Sequence, residues 1–196
     1  MALSSLLPNA AAARWTADMV RALPADGNRY EVIDGVLLVT PSPGFPHQTV
    51  GGQLHGLLWT YLREIGRERT LFYSPADISW NPETLVQPDL FVVHPRELSG
   101  EWKAIQTLLL AIEVVSPSSR RTDYTRKREL YQRYGVREYW VVDPKRGHVE
   151  VWHPGDKTPV VVTTTLTWSP DLALLPPGHP ALGPLTLDLP DLFRDL

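Results

Sequence analysis

Residues 108–115 read LLLAIEVV, and this stretch decides the fold. A nearly continuous apolar run of this length is typical of a central β-strand that is covered on both faces. The only polar residue in the run is Glu113. A buried glutamate is costly unless protonation, a cationic partner or a bound metal compensates its charge. The stretch therefore predicts both a central strand and a position with a chemical or electrostatic role.

The sequence after this strand predicts a helix and further strands. Residues 122–134 (TDYTRKRELYQRY) have helical character and end at Gly135. The runs EYWVVD at 138–143 and HVEVWH at 148–153 predict two strands, with Pro-Lys-Arg-Gly as the turn between them. Another strand is expected at 159–165, and the apolar piece PLTLDLPDLF closes the chain.

The sequence before the central strand predicts the remaining elements. They are a helix at 14–23, a hairpin at 29–40 with Asp34-Gly35 as its turn, a long helix from His47 to Gly66, and strands at 70–79 and 88–94. This order predicts an α/β sandwich with a mixed central β-sheet flanked by helices. We expect a single domain over 1–196, with its core at about 29–153 and C-terminal strands and a tail at 154–196.

Composition excludes several classes of protein. The 196 residues are 43% hydrophobic and 21% charged, as in ordinary globular proteins. The absence of cysteine excludes disulfides and thiolate metal sites. No run of about 18 apolar residues is present, so no membrane-spanning helix is expected. The first residues lack the positive charge of a secretory signal, and we expect a cytoplasmic protein.

Positive charge is concentrated in one segment. Residues 116–137 contain seven basic and two acidic residues, which gives this segment +5 and the rest of the chain −8, for a net charge of −3. A solvated helix face is the simpler interpretation. The alternative is a surface that faces phosphates, on which Arg120, Arg121 and Arg126 would contact a nucleic-acid backbone.

Three side chains are candidates for one chemical site. Asp89 belongs to a Pro-Asp pair at the start of the apolar run QPDLFVV, Glu113 lies in the central strand, and Lys127 lies in the following helix. Two carboxylates on neighbouring strands suit Mg²⁺ or Mn²⁺, which take oxygen ligands. Such an ion activates water and polarises a phosphodiester, and a nearby lysine stabilises the developing charge. Asp123 and Tyr131 share a helical face with Lys127.

A structural ion pair would explain the same residues without catalysis. Glu113 would then pair with Lys127 or with an arginine, as buried acids do in ion-pair networks. The Pro-Asp pair on the preceding strand favours the metal site over this alternative.

The chain resembles the Uma2 family of restriction-endonuclease-like proteins. The resemblance is carried by YEVIDGVLLVTPSP, by His47 at the start of a helix, by VQPDLFVV, and by IEVVSPSSRRTDYTRKRELYQRYGVREYWVVDP from Ile112 to Pro144. It covers roughly residues 29–153 with the motif order kept. It implies a restriction-endonuclease-like core of the PD-(D/E)xK nuclease superfamily and a divalent cation, usually Mg²⁺.

The resemblance also implies roles for individual residues. Asp89 corresponds to the Asp of the Pro-Asp motif, and Glu113 to the Glu of the second motif. The wider superfamily has a lysine two residues after that glutamate, where this chain has Val115. The Uma2 pattern instead has a lysine in the next helix, which is Lys127 here. Glu31 resembles a glutamate of the family's hairpin and would complete the metal shell, although strand alternation equally allows an exposed side chain.

Two further residues are candidate substrate contacts. His47 follows a Pro-rich loop and is placed to touch substrate, although such a histidine more often caps a helix or packs. Tyr131 is a candidate for stacking on bases, as are Tyr134, Tyr139 and Trp140, with core packing as the alternative.

Other catalytic motifs receive no support. The sequence has no Gly-x-Ser-x-Gly elbow, no His-x-x-x-His pair and no Gly-rich nucleotide-binding loop. The Ser-Pro-Ser-Ser run at 116–119 instead predicts a turn and helix cap.

Our first hypothesis is a Mg²⁺-dependent endonuclease that hydrolyses phosphodiester bonds of DNA. The alternatives are a catalytically inactive module that binds nucleic acid or a protein on the same fold, and a hydrolase of other phosphoesters. Exposed apolar and aromatic residues near the C-terminus also predict self-association into a homo-oligomer.

Overall fold

The structure is a computed structural model that describes residues 14–98, 100–170, 174–176 and 183–196. In chain order its helices and strands are α1 (Ala17–Arg21), β1 (Arg29–Ile33), β2 (Val36–Thr40), α2 (Phe45–Glu64), β3 (Leu71–Tyr73), β4 (Ile78–Asn81), β5 (Thr84–Val86), β6 (Leu90–Val93), β7 (Leu108–Val114), α3 (Arg120–Thr122), a π-helical segment (Asp123–Lys127), α4 (Arg128–Arg133), β8 (Tyr139–Asp143), β9 (His148–Trp152), β10 (Val160–Val162), β11 (Thr165–Trp168), β12 (Leu185–Asp188) and α5 (Leu189–Leu192).

A six-stranded mixed sheet forms the centre, in the order β10-β9-β8-β7-β6-β3. All seven residues of β7 are buried, which confirms the prediction that the apolar run is a central strand. β7 pairs with β8 in parallel, and the other pairs of this sheet are antiparallel. A parallel pair needs a long crossover connection, and here the helical stretch from α3 to α4 provides it.

Helices cover both faces of this sheet. On one face, Leu54 and Leu58 of α2 belong to the same buried cluster as Ile112 and Trp140. On the other face, Leu130 of α4 belongs to a cluster with strand residues that alternate with the first set. This alternation explains why β7 and β8 have no polar face. The predicted α/β sandwich with a mixed sheet is confirmed.

The predicted hairpin is confirmed and forms part of a second sheet, in the order β2-β1-β5-β4. Asp34 (φ 51°) and Gly35 (φ 77°) both adopt left-handed backbone conformations at its turn. A two-residue hairpin turn of this kind requires positive φ at both positions, which Asp-Gly tolerates well. The hairpin fixes the position of Glu31, in the middle of β1.

The prediction of one strand at 70–79 is wrong. The structure divides this stretch into β3, which pairs with β6 in the central sheet, and β4, which pairs with β5 in the second sheet. Pro75 lies between them, and proline has no N–H with which to continue a ladder. The loop between β3 and β4 therefore connects the two sheets.

The C-terminal part and the crossover helix also differ in detail from the predictions. The strand expected at 159–165 is two strands, β10 and β11, and the closing apolar piece forms β12 and α5. The helix expected at 122–134 begins at Arg120 and contains the π-helical segment. Val160 and Val161 are exposed on the edge strand β10, and self-association stays a prediction. Within the described ranges, no helix combines the length and the apolar character needed to cross a membrane.

Candidate active site

The ends of β6 and β7 bring the two predicted carboxylates together. Leu90 pairs with Ile112, so the same antiparallel register places Asp89 across from Glu113. The backbone N–H of Val114 donates to Oδ2 of Asp89 at 2.9 Å, which fixes this carboxylate against β7. Asp89 and Glu113 line one small cavity.

Lys127 reaches this cavity from the crossover helix. Its Nζ lies 2.9 Å from Oε1 of Glu113 and 2.9 Å from Oε1 of Glu31. Glu31 is 2% exposed, so the alternative of an exposed hairpin residue is wrong. Oε1 of Glu31 also accepts a hydrogen bond from the backbone N–H of Gln87 at 2.7 Å. The hairpin, the central strand and the helix thus meet at one ammonium group.

Asp89 is held by two further side chains. Arg29 donates to Oδ1 at 2.8 Å, and Nε2 of His47 lies 2.9 Å from Oδ2. His47 reaches Asp89 because α2 begins at Phe45, which puts the histidine in the first helical turn. Nδ1 of His47 is buried and has no hydrogen-bond partner within the described part of the chain.

Asp123 is the least compensated acid of the site. It is 1% exposed, and neither carboxylate oxygen has a hydrogen-bond partner among the residues that the structure describes. It lines the same cavity as Glu113 and Lys127. Asp123 and Lys127 are the first and last residues of the π-helical segment, a rare conformation that occurs often at functional sites.

The cavity that these residues enclose measures about 20 Å³, which is room for one water molecule or one ion. Its ionisable lining has more acids than permanent cations. Two cations, Arg29 and Lys127, face four carboxylates, namely Glu31, Asp89, Glu113 and Asp123. With all four carboxylates ionised and His47 neutral, the site carries an excess of two negative charges.

The pKa values of the acids reflect this imbalance. Burial raises the pKa of Asp123 to about 7, and burial together with the charge of Asp89 raises the pKa of Glu113 well above its usual value. Burial alone would also raise the pKa of Asp89, but the hydrogen bond with His47 and the charge of Arg29 lower it. The site therefore separates one strongly acidic carboxyl from two that hold a proton more readily.

The cations remain charged. Burial would lower the pKa of Lys127, but the charges of Glu113 and Glu31 outweigh burial and raise it. The same balance, with Asp89 as the largest opposing charge, raises the pKa of Arg29. Both residues therefore act as fixed positive charges at neutral pH.

The donor set fits a hard divalent cation in chemistry and charge. All four acids offer oxygen, which Mg²⁺ and Mn²⁺ prefer, and the unpartnered carboxylate of Asp123 is an acceptor without a donor. In the conformation described, no group of three His, Cys, Asp or Glu side chains is arranged to hold an ion within these ranges. Asp89 and Glu113 are held by Arg29 and Lys127 instead.

The predicted substrate contacts are placed in different environments. Arg120 donates to both oxygens of the buried Asp143, at 2.6 and 3.2 Å, and is thus part of a structural ion pair. Tyr131 is fully buried and donates to Oε1 of Glu113 at 2.8 Å, so it supports the site from beneath and is not available for stacking on a base. Arg121 and Arg126 are exposed, as a contact with DNA requires.

Two site residues were not assigned a role from the sequence. Arg29 lies two residues before Glu31, and strand alternation places both side chains on one face of β1. Asp123 lies four residues before Lys127 in a helical stretch, where such neighbours share a face. Both residues could have been predicted from the sequence, because their spacing places Arg29 beside Glu31 and Asp123 beside Lys127, which were already assigned to the site.

The family resemblance and the fold agree with comparisons to known proteins. The Uma2 family, described as "Putative restriction endonuclease", matches residues 17–185. A crystal structure from Anabaena variabilis ATCC 29413, described as a "putative nuclease belonging to DUF820", has a TM-score of 0.68 and 22% identity, and the match covers 91% of this chain and 97% of that chain. That likeness confirms the fold, and no curated protein matches the sequence. Because the family match spans most of the chain, this protein belongs to the Uma2 family.

Proposed function

We propose that this protein is a metal-dependent nuclease that hydrolyses phosphodiester bonds of DNA. The observation that carries the proposal is the small cavity at the ends of β6 and β7, where four carboxylates face two fixed cations. The family description and the nuclease described for the similar structure point to the same chemistry.

Asp89, Glu113 and Glu31 would hold Mg²⁺ or Mn²⁺, and the unpartnered Asp123 adds a fourth oxygen donor. A bound ion of this kind polarises a phosphodiester and lowers the pKa of a coordinated water. The exposed Arg121 and Arg126 would contact the DNA backbone outside the cavity.

The other residues of the site would have separate roles in the reaction. Lys127 stays protonated and stabilises negative charge, and it does not serve as a proton acceptor. Asp123 would serve as a ligand of the ion, and because burial raises its pKa to about 7, binding of the ion would displace a proton from it. His47 and Arg29 orient Asp89, and Arg29 also lines the small cavity.

A cleavage assay tests this proposal. Linear and circular DNA are incubated with the wild-type protein in EDTA, Mg²⁺ or Mn²⁺, alongside Glu113→Gln, Asp89→Asn and Lys127→Met. We expect cleavage only with a divalent ion, and a loss of about 100-fold or more in each variant. Glu129→Gln, an exposed acid on α4, is the matched control and should cleave normally. Cleavage in EDTA, or unchanged rates in all three site variants, would refute the proposal.

A binding module without catalysis is the second candidate. It is favoured by the ion pairs of Lys127 with Glu31 and Glu113, which satisfy these buried acids without an ion. This function predicts that the wild-type protein binds DNA with the same affinity in EDTA and in Mg²⁺ and leaves the DNA intact. Hydrolysis of a small phosphodiester without cleavage of DNA would instead indicate a different phosphoester substrate.

A further inference from the structure

A larger cleft adjoins the carboxylate cavity. It measures about 850 Å³ and lies between α1, the loop before β1, the first half of α2 and the loop after β3. Arg29, Pro43, His47 and Asp89 line both the cleft and the small cavity. A ligand bound in the cleft would therefore lie directly beside the small cavity.

One wall of the cleft contains two helix residues without side chains. Gly51 and Gly52 lie in the interior of α2, where glycine is unfavourable for helix stability. A Cβ atom at either position would meet nothing within 4 Å, so packing inside the protein does not require glycine there. Both glycines line the cleft, and their missing side chains leave it open to a bulky ligand.

A second wall presents an aromatic ring. Tyr73, the last residue of β3, lines the cleft and is 63% exposed. Its ring meets His55 of α2 edge-on, with the ring centres 5.3 Å apart and an angle of 85° between the planes. An exposed ring held in a concave wall is suited to stacking against a flat ligand.

The arginines of the cleft are already paired with acids, so the cleft is better suited to the base and sugar of a nucleotide than to a chain of phosphates. Arg21 is paired with Asp18 and Asp77, and Arg29 is paired with Asp89. Exposed amide side chains also line the walls, at Asn28 and Gln48. Amides supply the donors and acceptors that base edges require.

We infer that this cleft binds an unpaired nucleotide of the DNA substrate, next to the carboxylate cavity that would hold the ion. The inference rests on the proposed function and narrows its substrate class to DNA with a single-stranded segment. Within a duplex, stacking neighbours cover the faces of each base, and only an unstacked base offers its face to an aromatic side chain. Tyr73 is the stacking residue, and Gly51 and Gly52 give the nucleotide its space.

The first test measures binding without cleavage. The affinity of the wild-type protein in EDTA is measured by fluorescence anisotropy for a labelled single-stranded oligonucleotide and for the duplex of the same sequence. We expect tighter binding of the single strand, and a loss of roughly tenfold in Tyr73→Ala, as for removal of one base–aromatic stack. Tyr73→Phe should retain binding, and Trp59→Ala, which removes an exposed aromatic of α2 outside the cleft, should have no effect.

The second test fills the cleft. Gly52→Leu replaces a poor helix former with a good one and places a side chain in the cleft, so we expect a stable protein with weakened binding of the single strand. Gly56→Leu is the matched control, because Gly56 also lies in α2 with open space around it but does not line the cleft. It should bind normally.

These outcomes separate this inference from the proposed function. Equal affinity for single strand and duplex, or unchanged binding in Tyr73→Ala and Gly52→Leu, would overturn the cleft assignment even if the protein cleaves DNA. Preferential binding of the single strand through Tyr73 by a protein that cleaves nothing would support the cleft and refute only the nuclease.

Discussion

Nζ of Lys127 lies 2.9 Å from Oε1 of Glu113, and each residue is 2% exposed. A buried pair of this kind gains little over an apolar pair of the same shape, because both ions lose their hydration. Removal of one partner is different, since the other charge then stays buried without compensation. The stability of variants that lack one partner therefore tests whether this buried ion pair is present.

Replacement of Lys127 by Met should destabilise the protein by about 3–5 kcal/mol, because Glu113 and Glu31 lose their shared cation. Urea unfolding monitored by circular dichroism measures the change. Lys127→Met combined with Glu113→Gln should recover part of the loss, and Lys145→Met in an exposed turn should have little effect. A Lys127→Met protein as stable as the wild type would contradict the buried ion pair.

Stability should fall between about pH 4 and pH 7 because of Asp123. Its pKa rises from 3.8 to about 7 on folding, so in this range the unfolded chain releases a proton that the folded protein keeps. The contribution is on the order of 4 kcal/mol, present below the unfolded pKa and lost as the pH rises through the folded pKa. Asp123→Asn should reduce this loss of stability with rising pH. Part of the loss should remain in the variant, because the pKa of Glu113 is raised as well.

Unfolding free energies at several pH values between 4 and 8 test this dependence. Asp18→Asn is the control, since the side chain of Asp18 is 95% exposed. Parallel pH profiles for the wild type and Asp123→Asn would show that Asp123 ionises normally in the folded protein.

Binding of Mn²⁺ should release protons and strengthen with pH. An ion that uses the carboxylate of Asp123 competes with its proton, so affinity at pH 6 should be roughly tenfold weaker than at pH 8. Isothermal titration calorimetry in two buffers of different ionisation enthalpy measures both the affinity and the number of protons released. Asp123→Asn should weaken binding and remove most of its pH dependence. An affinity of the wild type that does not change with pH would exclude Asp123 as a ligand.

The three predicted arginine contacts should separate into two classes. Arg120→Ala should lower stability by about 2 kcal/mol, because Asp143 loses a charged hydrogen-bond partner in a fully buried position. Arg121→Ala and Arg126→Ala should leave stability nearly unchanged and instead weaken DNA binding. Each of these two substitutions should reduce the slope of log affinity against log salt by about 1, as expected when one arginine no longer neutralises a phosphate. Salt-independent DNA binding would remove both residues from the interface.

Much of the fold could be predicted from short stretches of the sequence. The Asp34-Gly35 turn and the apolar run of β7 each have one favourable structure, set by backbone sterics and by burial on both faces. The division at Pro75 was missed because sequence periodicity does not show which sheet a short strand joins. That choice depends on pairing with β5 and β6, which follow later in the chain.

The candidate site was predictable where spacing within one element decides it. Glu113 and Lys127 were identified from their own segments, and their contact is seen in the structure. The ion pair of Arg29 with Asp89 joins residues 60 positions apart, and it depends on how the hairpin packs against β6. No local sequence pattern shows how the hairpin packs against β6. The sequence therefore predicted neither the ion pair between Arg29 and Asp89 nor the separate cleft.

The π-helical segment at Asp123–Lys127 makes the site sensitive to chain length at this point. A π-helical turn holds one residue more than an α-helical turn, because its hydrogen bonds run from i to i+5. Deletion of one residue within the segment would therefore leave an ordinary α-helix whose flanking parts keep their orientation, while Asp123 and Lys127 would lie three residues apart instead of four. The extra residue thus sets the spacing of the acid and the lysine, and the path of the crossover on either side does not depend on it.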